Sequence, residues 1–167
     1  ARILARDYGL NVLGISISPA QIARATALTP AGLSCRFAVM DALALEIADA
    51  SVDAVWSVEA CPHMPDKQRY ADELLRVLKP GGLLAVADWN RRDGPMGRVE
   101  RWVMRQLLEQ WAHPEFATIG GLQQHLQQSP HAAAMAIETG DWSHATLPSW
   151  IDSIAEGVRR PGAILGL

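Results

Sequence analysis

The feature that most constrains the fold is residues 74–88, LLRVLKPGGLLAVAD. Its first part reads as the last turns of a helix. Pro80 stops that helix, because the residue before a proline is pushed out of the helical region. Gly81 and Gly82 supply the positive φ that a sharp reversal needs. The run Leu83, Leu84, Ala85, Val86, Ala87 is apolar throughout and suits a strand buried on both faces, as in a parallel sheet. Asp88 ends it at the carboxyl end of the strand, where open α/β sheets bind ligands. The segment predicts a doubly wound α/β architecture.

The preceding residues repeat the alternation. Residues 2–8 read as a helix stopped by Gly9, and residues 10–15 as a short strand. Ser18 and Pro19 start a helix over 20–28, with an N-cap hydroxyl and a proline in the first turn. A turn at 29–32 leads to a strand over 34–39 that ends at Met40 and Asp41. Residues 50–58 give another strand, and Asp66 caps a helix running to Leu78. The order α-β-α-β-β-α-β, with the third helix short or irregular, is that of an α/β sheet.

After residue 90 the character changes. A loop at 91–95 precedes an amphipathic helix over 97–112. It has Val99, Trp102, Val103, Leu107 and Trp111 on one face and Arg98, Arg101 and Arg105 on the other. A helix over 122–127, a strand over 132–139 and a helix over 148–157 are expected next.

Composition narrows the function classes. The chain has 167 residues, 49% hydrophobic and 20% charged, which is ordinary for one soluble domain. A net charge of −3 gives no general electrostatic case for nucleic acid. Cys35 and Cys61 form neither a metal spacing nor a disulfide framework, and read as reduced thiols of a cytoplasmic protein. No apolar run approaches the ~18 residues of a membrane span. The chain opens at Ala1 inside a helix and ends at GAILGL without a closing element. The expectation is an internal piece of a longer protein.

Three predicted strand ends carry polar groups. The first is residues 16–21, SISPAQ, where a helix N-terminus offers N–H groups and hydroxyls to a polar ligand. The same residues also read as an ordinary N-cap by Ser18. The second is Asp41, which either accepts from the exocyclic amine of a base or closes a local turn. The third is residues 56–64, WSVEACPHM, where Glu59 and His63 accept protons or orient a hydroxyl, or satisfy each other in a proline-shaped loop. The tryptophans after residue 97 read as core or as a pocket lining. The arginine face reads as solvated or as resting on an anionic membrane surface. There is no glycine-rich phosphate loop, zinc spacing or serine-nucleophile motif.

GISISPAQ (14–21), Asp41, VDAVWSVEACPHMPDK (52–67) and LLRVLKPGGLLAVAD (74–88) together resemble a class I S-adenosylmethionine-dependent methyltransferase. The ISISPAQ loop is similar to the group holding sterol, cyclopropane-fatty-acid and tocopherol methyltransferases. HMPDK, ADWNRRD (87–93), RQLLEQWAHPEFATIGGL (105–122) and DWSHATLPSWIDSIAEGVRRP (141–161) resemble the cyanobacterial branch of gamma-tocopherol methyltransferases. The resemblance implies a Rossmann-like, doubly wound, mostly parallel sheet, truncated at both ends. The first strand and its glycine-rich loop would lie before Ala1. Without that central strand, the strands at 10–15 and 52–58 keep unpaired edges. The resemblance further implies a partial S-adenosylmethionine-binding core over 1–90. Residues 91–167 become a helical, substrate-covering insertion and the start of the C-terminal part of the sheet.

Carried onto this chain, Ser16, Ile17 and Gln21 contact the adenosine of S-adenosyl-L-methionine, Asp41 and Ala42 meet the adenine, and Ser57 lies near the methionine moiety. The implied reaction is C-methylation of the chromanol ring of gamma-tocopherol, a small amphiphilic phenol, with Glu59 and His63 as the catalytic residues. Such a substrate allows peripheral membrane contact, and the sequence leaves the oligomeric state open. The alternatives are a methyltransferase acting on another small lipid, sterol or quinone, and a non-catalytic truncated chain.

Overall fold

A computed structural model describes residues 1–111, 113–133 and 135–159, which divide into two compact units, Ala1–Ala136 and Ile137–Leu167. The first contains α1 (Arg2–Tyr8), β1 (Val12–Ser16), α2 (Pro19–Ala27), β2 (Cys35–Val39), β3 (Val52–Val58), a 3-10 turn (Cys61–His63), α3 (Lys67–Arg76), β4 (Leu78–Ala87), α4 (Arg98–Gln110) and α5 (Ile119–Gln128). The second contains α6 (Ser143–Arg159). The architecture is α/β.

Two parallel ladders form, β1 with β2 and β3 with β4. Val12 pairs with Cys35 and Ser16 with Val39 in the first; Ala54 pairs with Leu83 and Val58 with Ala87 in the second. Among the described residues, each strand has one partner, so β1 and β3 each keep an open edge.

Local chemistry explains most boundaries. Gly9 ends α1 in the left-handed region at φ 66°. Ser18 caps α2 by accepting from the Gln21 N–H at 3.3 Å, with Pro19 at the first helical position. Asp66 caps α3 through the Arg69 N–H at 2.9 Å, and Thr118 caps α5 through the Gly121 N–H at 2.9 Å.

The segment 74–88 differs from its sequence reading in three ways. The helix ends at Arg76, and Leu78 already belongs to the strand. The Lys-Pro-Gly-Gly stretch is a bulge within β4, because the register moves from Val52↔Leu78 directly to Ala54↔Leu83. Gly81 alone takes a positive φ, 77°. Gly82 is needed for a close approach instead: a Cβ there would stand 2.9 Å from the Lys79 carbonyl oxygen and 3.1 Å from that of Asp53. The ladder is also not buried on both faces. Val55, Leu84 and Val86 pack against Cys61, Tyr70 and Leu74, whereas Trp56 and Leu83 on the opposite face are 67% and 68% exposed.

The 41–51 connection between β2 and β3 holds turns and bends, with no helix, as the order α-β-α-β-β-α-β implied. Arg76 fastens it to α3, donating to the carbonyls of Leu45 at 2.9 Å and Ile47 at 2.8 Å, while Glu73 accepts from the Leu45 N–H at 2.6 Å. α5 packs on α3. The strand expected over 132–139 is not formed; apart from Ala134, which lies outside the described residues, these positions are turn or irregular. The stretch is alanine-rich, a poor strand composition. α6 starts five residues before Pro148, because Asp141 accepts from the Ser143 N–H at 2.8 Å and opens the helix there. Residues 112 and 160–167, including the expected end of the 97–112 helix and the GAILGL tail, lie outside the described residues. Among the described residues, no helix is long and apolar enough to cross a membrane.

Candidate active site

The carboxyl ends of both ladders carry the polar groups. At the β1 end the chain turns into α2 through residues 16–21. The Ser16 hydroxyl donates to Gln21 Oε1 at 2.7 Å and accepts from the Ser18 N–H at 3.2 Å. These bonds preset the loop, and Ile17 projects into solvent beside it. At the neighbouring β2 end the Met40 N–H donates to the Ser16 carbonyl at 3.0 Å, so the two strand ends are tied together. Asp41 is exposed, and its Oδ1 accepts from the Leu43 N–H at 2.8 Å. It therefore closes a local turn while Oδ2 remains available as an acceptor. Next to it, Ala42 packs against the Cys61–Tyr70–Leu74 cluster, which brings this end against the loop that follows β3.

That second loop is built differently. Ser57 is buried and shares a hydrogen bond with the Tyr70 hydroxyl. Burial pushes the Tyr70 phenol well above its ordinary range. Glu59 is exposed and sits at φ 54°, an uncommon conformation for a residue other than glycine. Its N–H donates to the Ala87 carbonyl at 2.9 Å, extending the ladder by one rung and fixing where the chain leaves it. The 3-10 turn follows, burying Cys61 and Pro62 and leaving His63 exposed. Burial, with the Asp88 charge, raises the Cys61 thiol to about 11, so it stays protonated and unreactive.

Asp88 is the unusual member. Both carboxyl oxygens are buried and neither completes a hydrogen bond, although the N–H groups of Ala60 and Cys61 face it. Burial raises it to about 6, with the Glu59 charge pushing the same way. Lys67, which donates to the Met64 carbonyl at 2.6 Å, opposes that shift. His63 Nδ1 lies 3.1 Å from Nδ1 of His113, a residue that the spacing arguments do not reach.

The structure thus joins Ser16, Gln21, Asp41 and Ala42 at one end and Ser57, Glu59 and His63 at the other. It adds His113, Tyr70 and the unpartnered Asp88 carboxyl. Asp88 was legible as a strand-end carboxylate, whereas His113 follows α4 and had no local signal. Parallel strand ends that present a serine, a glutamine and a carboxylate are a donor and acceptor set that fits the ribose and base of an adenosine.

A methyltransferase-domain family model matches residues 1–86. The chain belongs to the S-adenosylmethionine-dependent methyltransferases. Among curated relatives of this family, it is 55% identical over 164 residues to the 2-methyl-6-phytyl-1,4-hydroquinone methyltransferase of Synechocystis, covering 96% of this chain and 51% of that protein. It is 32% identical over 162 residues to the chloroplastic tocopherol O-methyltransferase of Arabidopsis thaliana, covering 90% of this chain and 44% of the relative. The chain therefore spans about half the length of these relatives. A solved methyltransferase fold, phosphoethanolamine N-methyltransferase 2 of Haemonchus contortus in complex with S-adenosyl-L-methionine, superposes with a TM-score of 0.78. It is 19% identical, and the match covers 99% of this chain and 37% of that one.

Proposed function

We propose that this methyltransferase site adds a methyl group to a ring carbon of a phytyl-type hydroquinone, with the chromanol of gamma-tocopherol as the second candidate acceptor. The identity of 55% to the hydroquinone enzyme against 32% to the tocopherol enzyme favours that order. The observation that carries the site reading is the loop after β3. It carries Glu59, whose charge acts on the Asp88 carboxyl, and His63 on the turn that follows, at the carboxyl end of the β3–β4 ladder.

Ser16, Ile17 and Gln21 hold the adenosine, Asp41 with Ala42 meets the adenine, and Ser57 lines the methionine end with its hydroxyl turned to Tyr70. S-adenosyl-L-methionine supplies an electrophilic methyl group on a sulfonium. The chain's own task is to position the acceptor carbon in line with it and to enrich that carbon in electrons. Drawing the proton from the neighbouring hydroxyl achieves the second, and His63 and Glu59 are the groups placed to accept it. The long apolar tail of the acceptor needs an apolar lining. Val99, Trp102 and Val103 on α4 are exposed and supply one, and the same face suits peripheral contact of a cytoplasmic enzyme with a lipid surface.

A radiolabelled methyl-transfer assay on the full-length protein tests this reading, offering 2-methyl-6-phytylhydroquinone, gamma-tocopherol and a tail-less hydroquinone. Transfer is expected to fall in that order. Transfer to neither prenylated acceptor rejects the proposal, and preference for gamma-tocopherol reverses the order of the two acceptors.

A further inference from the structure

His63 and His113 come from places 50 residues apart and meet edge to edge, with ring centroids 4.2 Å apart at 67° and Nδ1 atoms 3.1 Å apart. Only one proton fits between two facing Nδ1 atoms, so one ring donates and the other accepts. No third His, Cys, Asp or Glu among the described residues joins the pair into a group able to hold a metal ion. The His113 side is braced. Its backbone N–H donates to the Leu108 carbonyl at 3.0 Å, and its ring stands edge-on to buried Phe116 with centroids 5.2 Å apart. Trp111 flanks the same ring at 6.0 Å. His63, by contrast, is exposed on a three-residue turn with no other side-chain bond holding its ring among the described residues.

We propose that His113 is a positioning residue for methyl transfer: its Nδ1 accepts from Nδ1–H of His63, fixing that ring's orientation and tautomer and leaving Nε2 of His63 free to take the acceptor's hydroxyl proton. The inference rests on the reading of His63 as a site residue. The geometry gives the Nδ1–Nδ1 contact, and the direction of the bond is part of the proposal. Burial, His63 and Lys67 all oppose a positive charge on His113, which keeps that ring neutral and able to accept. A neutral His113 accepting at Nδ1 forces His63 to carry its proton on Nδ1 and a lone pair on Nε2. In the step itself the acceptor's O–H bond breaks, an N–H bond forms at Nε2 of His63, and the imidazolium so made is stabilised through its Nδ1–H by His113. Orienting a base through its second nitrogen in this way is worth about tenfold to hundredfold where comparable supporting groups are removed.

The test uses the full-length protein with His113→Ala, His113→Phe and His113→Asn. Phenylalanine keeps the ring contacts to Phe116 and Trp111 and loses the nitrogen. Asparagine places an amide oxygen near the Nδ1 position. The expected result is a fall of about tenfold to hundredfold in kcat for Ala and Phe, unchanged calorimetric affinity for S-adenosyl-L-methionine, and recovery of most of kcat in Asn. Nitrogen-15 spectra are expected to show His63 protonated at Nδ1 in the unmodified protein and in His113→Asn, and to lose that preference in His113→Ala and His113→Phe. Full kcat in His113→Phe, or an unaltered His63 tautomer in His113→Ala, overturns the proposal. Full transfer in His63→Ala overturns the reading beneath it. That failure is separate, because the tautomer is read without turnover.

Discussion

At the ends of β1 and β2, the polar side chains are bonded to neighbours a few residues away: Ser16 to Gln21, Ser18 to the Gln21 amide, Asp41 to the Leu43 amide. At the ends of β3 and β4, the groups are bonded or opposed across long separations. Ser57 meets Tyr70, His63 meets His113, and Asp88 faces the turn after β3 without completing a hydrogen bond. The first end is a preset, solvent-exposed cradle. The second is partly buried, and its Cys61, Tyr70 and Asp88 all hold protons more tightly than usual. Binding an invariant cofactor needs only a fixed outline, whereas moving a proton needs groups whose affinities have been altered. On the proposed reading, the two ends divide along those two tasks.

The largest expected difference between them is in stability. Tyr70 is 1% exposed and joins the α3 face of the ladder to the loop after β3. Tyr70→Ala leaves a cavity and an unpartnered Ser57 hydroxyl, and is expected to destabilise by about 3–5 kcal/mol. No side chain at residues 16–21 is buried, so any single truncation there is expected to cost less than about 1 kcal/mol. Denaturant melts of both kinds of variant check the contrast, and equal losses would erase it.

This division also governs what the sequence revealed. Ser18–Pro19 and Asp66 act on the backbone within three residues of themselves and Gly9 within five, so caps and helix ends were readable from spacing. The cradle residues were readable for the same reason, since their partners are local. The bulge at Lys-Pro-Gly-Gly was hidden because a proline and two glycines describe a reversal equally well. Only the pairing of Val52 with Leu78 distinguishes the two. His113 was hidden because its role depends on a packing of the residues after α4 against the loop after β3. Trp56 and Leu83 misled in the opposite direction, because an apolar run predicts two covered faces and only one is covered among the described residues.

A smaller effect separates the ends by pH. Burial raises Asp88 to about 6, so the unfolded carboxyl ionises first as the pH rises. The native state then holds a proton that the unfolded state has lost. Stability from this group is full below about pH 4 and drains away as the pH climbs through about 6. Asp88→Asn removes that dependence. Relative to the unmodified protein it is expected to gain stability between about pH 4 and pH 7, on the order of 1 kcal/mol after allowance for solvent screening. Thermal melts across that range read it directly. A gap that stays constant with pH would mean that the carboxyl is solvated, and the contrast between the two ends would narrow.

The smallest effect lies in the cradle itself. Gln21 accepts from the Ser16 hydroxyl at 2.7 Å on an exposed surface, so removing its side chain frees two groups that water can satisfy. Little folding stability is at stake, and what is lost is the preset outline. Gln21→Ala is expected to weaken S-adenosyl-L-methionine binding to the full-length protein by about threefold to tenfold, the cost of about one hydrogen bond, with the melt unchanged. Asp41→Ala is expected to do the same through the adenine. Calorimetric affinities unchanged in both variants would remove these residues from the cofactor site. A lowered melting temperature in Gln21→Ala would show that the loop supports the fold, not the ligand, and the distinction between a locally coded cradle and a long-range proton site would fail at its first term.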